Sequence, residues 1–320
     1  MLLGTYPTPL HPLEGLSRAR AALWIKRDDQ TNPTYGGNKV RKLEKLLTDA
    51  KARGADRIVT VGAVGSHHVL ATAVFARPLG LAVEAVVVAQ PRTDGVLENL
   101  RADLGLGVEV LPAASYAHAA LRIASRLGRG AYYIPAGGSN RLGTSGYVDA
   151  ARELAAQVRE GAMPEPDLLV VALGSGGTAA GLAAGLEAEG LRTRVLAVTV
   201  AEPAWVVERM ARSLARRSRS SANGTRSKRL EIERRYLGAG YGHVTPEGAR
   251  ATVEAAKAGV TLDATYTAKA FAAALDRIAE GREENVLYWH TLSSAAMGPL
   301  LRDAPGEAAL PPRLRRMARA

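Results

Sequence analysis

Two short stretches of this chain combine residue types that can do chemistry. The first is Gly174-Ser175-Gly176-Gly177-Thr178, set between the apolar run 168–173 and an alanine-rich helical pattern. A strand that passes through a glycine turn into a helix offers free backbone N–H groups and the positive end of the helix dipole to an anion. The glycines permit close approach, and Ser175 and Thr178 add hydroxyl donors, so the loop suits one phosphate group. The second stretch is Tyr35-Gly36-Gly37-Asn38-Lys39-Val40-Arg41-Lys42-Leu43-Glu44, where a glycine turn delivers a lysine to the start of a helical pattern. The dipole disfavours a cation there and so favours the neutral amine of Lys39, the form that attacks a carbonyl carbon to make a Schiff base. Lys42 follows about one helical turn later, on a similar face, and could pair with a phosphate.

Each stretch also has a plainer reading. The loop at 174–178 could be a glycine turn with no ligand, and the stretch at 39–44 a basic surface helix; local mechanics alone do not choose Lys39. The loop is not a P-loop, because no Gly-Lys-Ser/Thr ending follows. It loosely matches a dinucleotide fingerprint, which wants an acidic residue roughly 20 positions on. Glu187 and Glu189 come too early, within the helix, and the run 194–200 has no acid until Glu202. A nucleotide-dependent oxidoreductase is thereby weakened and stays open.

The elements that must position these residues alternate along the chain. Short, branched, apolar runs at 58–61, 82–89, 108–111, 168–173 and 194–200 read as strands, and 40–53, 66–79, 95–104 and 178–189 read as helices. Apolar strands separated by helices imply an α/β fold with two open, mostly parallel twisted sheets flanked by helices. Linker-like composition at 160–167 and a turn near 53–56 suggest a large domain of 1–50 and 163–320 and a small domain of 51–162. In such sheets ligands bind beyond the carboxyl ends of the strands.

Composition narrows the class further. Of 320 residues, 47% are hydrophobic and 23% charged, ordinary for a globular protein, and the 0 cysteines remove disulfides, thiolate metal sites and a cysteine nucleophile. No metal site is assigned. The apolar runs are too short for the ~20 residues that a bilayer demands, and the amino terminus lacks a charged start followed by an apolar stretch. The expectation is a cytoplasmic protein without membrane partners. The net charge of +11 owes much to the Arg- and Ser-rich stretch 212–235. It reads as a solvated helix face with a loop; a nucleic-acid-binding protein would interleave aromatics with the charges, and none appear there until Tyr236.

The motifs taken together resemble the fold-type II pyridoxal-phosphate enzymes (tryptophan synthase β-like), specifically the family of 1-aminocyclopropane-1-carboxylate deaminase and D-cysteine desulfhydrase. The resemblance is carried in order by Lys26-Arg27-Asp28-Asp29, Gly36-Gly37-Asn38-Lys39-Val40-Arg41-Lys42-Leu43-Glu44, Pro135-Ala136-Gly137-Gly138-Ser139-Asn140 and Gly174-Ser175-Gly176-Gly177-Thr178. It continues through Tyr241-Gly242, Asp263-Ala264-Thr265-Tyr266-Thr267-Ala268-Lys269-Ala270 and Val286-Leu287-Tyr288-Trp289-His290-Thr291, nearly the whole chain. It implies pyridoxal 5'-phosphate as cofactor, held by Lys39 as a Schiff base, with Lys42 and Gly174, Ser175, Gly176, Gly177 and Thr178 on its phosphate. It implies Ser66 over the substrate, Tyr241 and Tyr266 facing the reacting carbons, and Thr291 near the pyridine nitrogen. A homodimer is implied in the same way.

Within that family, deaminases carry Glu after the late tyrosine and Leu after the histidine of the late strand, whereas desulfhydrase-like members carry Thr or Ser, then Thr. Thr267 and Thr291 side with the desulfhydrase branch. The expected reaction is elimination from a small amino acid such as D-cysteine, giving pyruvate, ammonia and sulfide, with the deaminase reaction or a specialised substrate as the alternative. The chain departs from the family at Gly65-Ser66-His67-His68, where Gln-Ser-Asn-His is usual, so His67 replaces an asparagine that touches the cofactor. It departs again at Thr291-Leu292-Ser293-Ser294, where Thr-Gly-Gly is usual, and at Ala264 and Ala268. These departures leave substrate identity open and admit a binding-only relative.

Overall fold

The structure, a computed structural model, describes residues 1–18, 20–218 and 229–318. Its strands are β1 (Leu10–Pro12), β2 (Ala22–Arg27), β3 (Arg57–Ala63), β4 (Ala82–Val88), β5 (Glu109–Pro112), β6 (Ala131–Ile134), β7 (Leu168–Leu173), β8 (Arg194–Thr199), β9 (Leu230–Glu233) and β10 (Asn285–His290). The helices that matter for the site are α1 (Lys39–Ala52), α2 (His67–Ala76), α3 (Asp94–Gly105), α4 (Tyr116–Arg126), α5 (Arg141–Arg159), α6 (Gly177–Ala188), α7 (Ala204–Ser218), α8 (Pro246–Lys257) and α9 (Thr267–Glu280). The strands expected from apolar runs are β3, β4, β5, β7 and β8. The helix expected over 66–79 ends at Ala76, and Arg77–Leu79 tightens into a 3-10 turn, because Pro78 has no N–H to continue the α pattern. Strands β1, β2, β6, β9 and β10 fall outside that reading, although β6 (Ala131–Ile134) is apolar throughout.

Backbone contacts divide the chain into two units. One comprises Met1–Leu3, Leu43–Gly138 and Ala295–Ala320; the other comprises Gly4–Lys42 and Ser139–Ser294. The first unit holds a sheet of order β5-β4-β3-β6 in which every pairing is parallel. Helices α2 and α4 pack on β3 and β4. The near-continuous burial of β3 and β4 is what a parallel sheet covered by helices demands.

The second unit holds a sheet of order β1-β2-β10-β7-β8-β9, parallel throughout except for the antiparallel edge strand β1. Period-two alternation sends the side chains of central β7 to opposite faces. Leu169, Val171 and Leu173 meet Tyr147 and Leu154 of α5, Leu182 and Leu186 of α6 and Leu214 of α7. Leu168 and Val170 meet Ala251 of α8 and Phe271 and Ile278 of α9. The architecture is the expected pair of open, mostly parallel sheets flanked by helices. Among the described residues no helix is long and apolar enough to cross a membrane.

The basic stretch 212–235 lies partly outside the described residues, at 219–228. Three of its described arginines meet acids: Arg212 and Arg234 pair with Glu208, and Arg235 with Glu233. That is the pattern of a solvated charged face.

Candidate active site

In the six-stranded unit, the loop that ends β7 and opens α6 is built around Gly176, whose φ of 91° lies in the left-handed region that favours glycine. The turn brings the Gly177 N–H within 3.2 Å of the Ser139 hydroxyl, which sits 2.7 Å from the Ser175 hydroxyl and 3.2 Å from Lys42 Nζ. A Cβ added at Gly177 would stand 2.6 Å from Ser139 Oγ and 3.0 Å from Lys42 Nζ, so only glycine lets these donors converge. Lys42 is buried, and burial, then the neighbouring charge of Lys39, pushes its ammonium well below the usual lysine range.

Lys39 opens α1 and donates to Asn38 Oδ1 at 2.6 Å, and Asn38 Nδ2 donates to Thr178 Oγ1 at 3.0 Å, tying the lysine to the loop. Burial lowers the Lys39 pKa to about 8, partly opposed by the negative charge of Asp263. Asp263 also sets the start of α9: its carboxylate accepts from the N–H groups of Thr265, Tyr266 and Thr267 and from the Thr267 hydroxyl. This fixes Tyr266, whose ring edge would lie 3.0 Å from a Cβ at Gly174. The Tyr241 and Tyr266 hydroxyls are 2.5 Å apart, and their rings meet edge to face. Buried Lys269 donates to the carbonyls of Leu237 and Gly240, pinning the turn that presents Tyr241.

The stretch after β10 packs on the turn that leads to Lys39. The Thr291 carbonyl accepts from Asn38 N–H at 3.1 Å and would lie 2.6 Å from a Cβ at Gly37, whose φ is 89°. Two serines of this stretch bond the chain before Lys39: Ser293 Oγ accepts from Gly36 N–H at 2.8 Å, and Ser294 Oγ donates to the Asp29 carbonyl at 3.1 Å.

Lys39, Lys42, Gly174, Ser175, Gly176, Gly177, Thr178, Tyr241, Tyr266 and Thr291 thus all belong to one unit. Ser66 and His67 belong to the other, at the amino terminus of α2, where Ser66 Oγ caps the helix by accepting from His68 N–H at 3.2 Å.

Comparison with known proteins shows which family the chain belongs to. Residues 1–291 match the sequence profile described as "Pyridoxal-phosphate dependent enzyme". The chain belongs to the pyridoxal-phosphate dependent enzymes. It is 38% identical to a D-cysteine desulfhydrase of Klebsiella pneumoniae over 91% of this chain and 93% of that protein. It is 35% identical to nocardicin C-9' epimerase of Nocardia uniformis over 95% of both chains. A solved 1-aminocyclopropane-1-carboxylate deaminase homologue superposes with a TM-score of 0.80 at 33% identity, covering 94% of this chain and 95% of that one.

The residues present fit the cofactor of pyridoxal-phosphate enzymes. Lys42 Nζ, the Ser139 and Ser175 hydroxyls and the Gly177 N–H can all donate to one phosphate. A primary amine with a lowered pKa stands close by for an aldehyde. Reading the sequence passed over Asn38, Ser139, Asp263 and Lys269 as individual site residues. Asp263 carried a signal, an N-cap-type residue just ahead of a helical run; Ser139 carried none, because its partners lie 36 and more positions away.

Proposed function

We propose that this enzyme is a lyase of the D-cysteine desulfhydrase type, converting a small β-substituted amino acid such as D-cysteine to pyruvate, ammonia and sulfide. The observation that carries the reading is the Tyr241–Tyr266 hydroxyl pair in the same unit as Lys39, together with Thr267 and Thr291 at the two positions that side with that branch.

Bound pyridoxal phosphate supplies the electron sink that stabilises negative charge at the substrate's α-carbon. Lys39 would hold the cofactor through its amine and, as a free base, would take the α-proton, for which a pKa of about 8 suits it. Lys42, Ser139, Ser175 and Gly177 hold the phosphate, with Thr178 oriented through Asn38. The Tyr241 and Tyr266 hydroxyls, 2.5 Å apart, are the pair we assign to proton transfer at the departing sulfur. With the cofactor bound, loss of the α-proton and of the β-sulfur as sulfide, with uptake of water, would give pyruvate and ammonia. We assign Ser66 to the substrate carboxylate, His67 to the cofactor and Thr291 to the pyridine nitrogen; the homodimer and the cytoplasmic location belong to the same proposal.

A second reading, ring-opening deamination of 1-aminocyclopropane-1-carboxylate, is favoured by the likeness to the solved deaminase homologue. Offering both substrates to the purified enzyme separates the two. Pyruvate with stoichiometric sulfide from D-cysteine supports the proposal, and 2-oxobutanoate from the cyclopropane with no reaction of D-cysteine overturns it. Tyr266→Phe should keep the cofactor and slow sulfide release by roughly 10²-fold, the scale of one lost proton donor.

A further inference from the structure

His67 stands where relatives carry an asparagine, and a histidine ring can be a donor, an acceptor or a cation at that place. Within the four-stranded unit one neighbour decides among these. Asn99 of α3 is 3% exposed, and its Nδ2 lies 2.9 Å from the Gly65 carbonyl oxygen and 3.2 Å from His67 Nδ1. The Gly65 oxygen can only accept, so the NH2 end of the Asn99 amide must face it. The same NH2 carries its second hydrogen toward His67 Nδ1. An amide nitrogen cannot accept, so Nδ1 is the acceptor and the ring proton of the neutral histidine sits on Nε2.

We propose that Asn99 is a positioning residue that fixes His67 as the Nε2–H tautomer, so that the histidine offers an N–H donor to an oxygen of the bound cofactor where relatives offer an asparagine amide. The inference rests on the proposed placement of His67 at the cofactor and deepens it. The geometry makes His67 a fixed hydrogen-bond donor and takes from its Nδ1 any role as a base. Asn99 is then the partner that lets a histidine serve in an asparagine's place, and His67 and Asn99 form one functional pair.

The test reads the tautomer directly. In uniformly 15N-labelled holoenzyme at about pH 8, where an ordinary imidazole is neutral, two-bond 1H–15N correlations report both ring nitrogens. With 6 histidines in the chain, His67→Asn assigns the signals by deletion. The expected result is a protonated Nε2 and a pyridine-type Nδ1 on His67, read from the unaltered protein, with His67→Asn serving only for the assignment. A Nδ1–H signature or an even mixture would overturn the proposal. Asn99→Asp puts an acceptor opposite Nδ1 and should invert the pattern and weaken pyridoxal-phosphate affinity roughly three- to tenfold, the worth of one hydrogen bond; an unchanged ring pattern would equally overturn it. Apoenzyme titrated with pyridoxal phosphate isolates the placement: the Nε2–H proton should shift as cofactor binds. If it stays still while the tautomer is as expected, the donor role and the placement of His67 fall together, whereas the clamp by Asn99 stands.

Discussion

The first turn of α1 carries three cations, Lys39, Arg41 and Lys42, and treats Arg41 differently from the lysines on either side. Arg41 turns toward carboxylates: it meets Asp28 at 2.8 Å and Glu153 at 2.8 Å, and Glu153 also receives Lys26 Nζ at 2.5 Å. Tyr147 donates to Asp28 at 2.6 Å, completing a buried network between β2, α1 and α5. Burial works against the guanidinium charge there, but Asp28 and Glu153 hold its pKa well above the usual arginine value. Lys42, one residue on, faces hydroxyls and a backbone N–H, and its pKa is pushed well down. On the proposed assignment, the difference separates a cation that builds the protein from one that would meet the cofactor's phosphate. Burying an ion pair contributes little net stability, yet removing one partner is strongly destabilising. Burying a lysine's charge is itself unfavourable, and a bound phosphate would relieve it.

The comparison can be broken first at Arg41. Asp28→Ala strands the buried guanidinium and should lower the unfolding free energy by about 3–5 kcal/mol. Urea denaturation of the apoenzyme measures it, and a loss below about 1 kcal/mol would show that the network does not hold the turn. Lys42→Met is the mirror experiment. It should leave apoenzyme stability equal or higher while weakening pyridoxal-phosphate binding by roughly 1.5–3 kcal/mol, the value of a hydrogen bond to a charged group. Undiminished affinity by fluorescence titration would remove Lys42 from the phosphate.

Lys39 gives the sharpest effect, through pH. Its pKa of about 8 in the folded chain lies below the ordinary 10.5, so the unfolded state binds more protons between those values. Apoenzyme stability should therefore rise with pH across that window, by at most about 1.4 kcal/mol per unit. The rate of pyridoxal-phosphate capture should climb about tenfold per unit below pH ~8 and level off above it, since the free amine attacks. Stopped-flow absorbance at a series of pH values measures this; a rate still climbing near pH 10 would return Lys39 to the ordinary lysine range.

How much of this was legible in the sequence follows from distance along the chain. The run 168–173 and the glycines after it announced β7, the loop and α6, because strand, turn and helix are local and contiguous. Lys39 needed the resemblance, since a lysine at a helix start is common and the dipole there acts on any such lysine alike. The fate of Arg41 was not legible: its partners lie 13 and 112 positions away, brought together only by the packing of α1 on α5. Ser293 and Ser294, in the stretch that departs from the family's Thr-Gly-Gly, bond the chain before Lys39, a contact visible only once β10 and that segment are adjacent. Asn99 is the same case, one polar residue on a helix until the fold sets it against His67.

The central claim, that Lys39 is the residue that joins the cofactor, is tested most directly by the near-visible absorption of the purified protein titrated with pyridoxal phosphate, alongside Lys39→Ala. The account predicts a band of lysine-bound cofactor in the native protein that borohydride fixes onto the peptide bearing Lys39, and no such band in Lys39→Ala. An unaltered band in Lys39→Ala, or fixation on the peptide bearing Lys42 or Lys269, would contradict it.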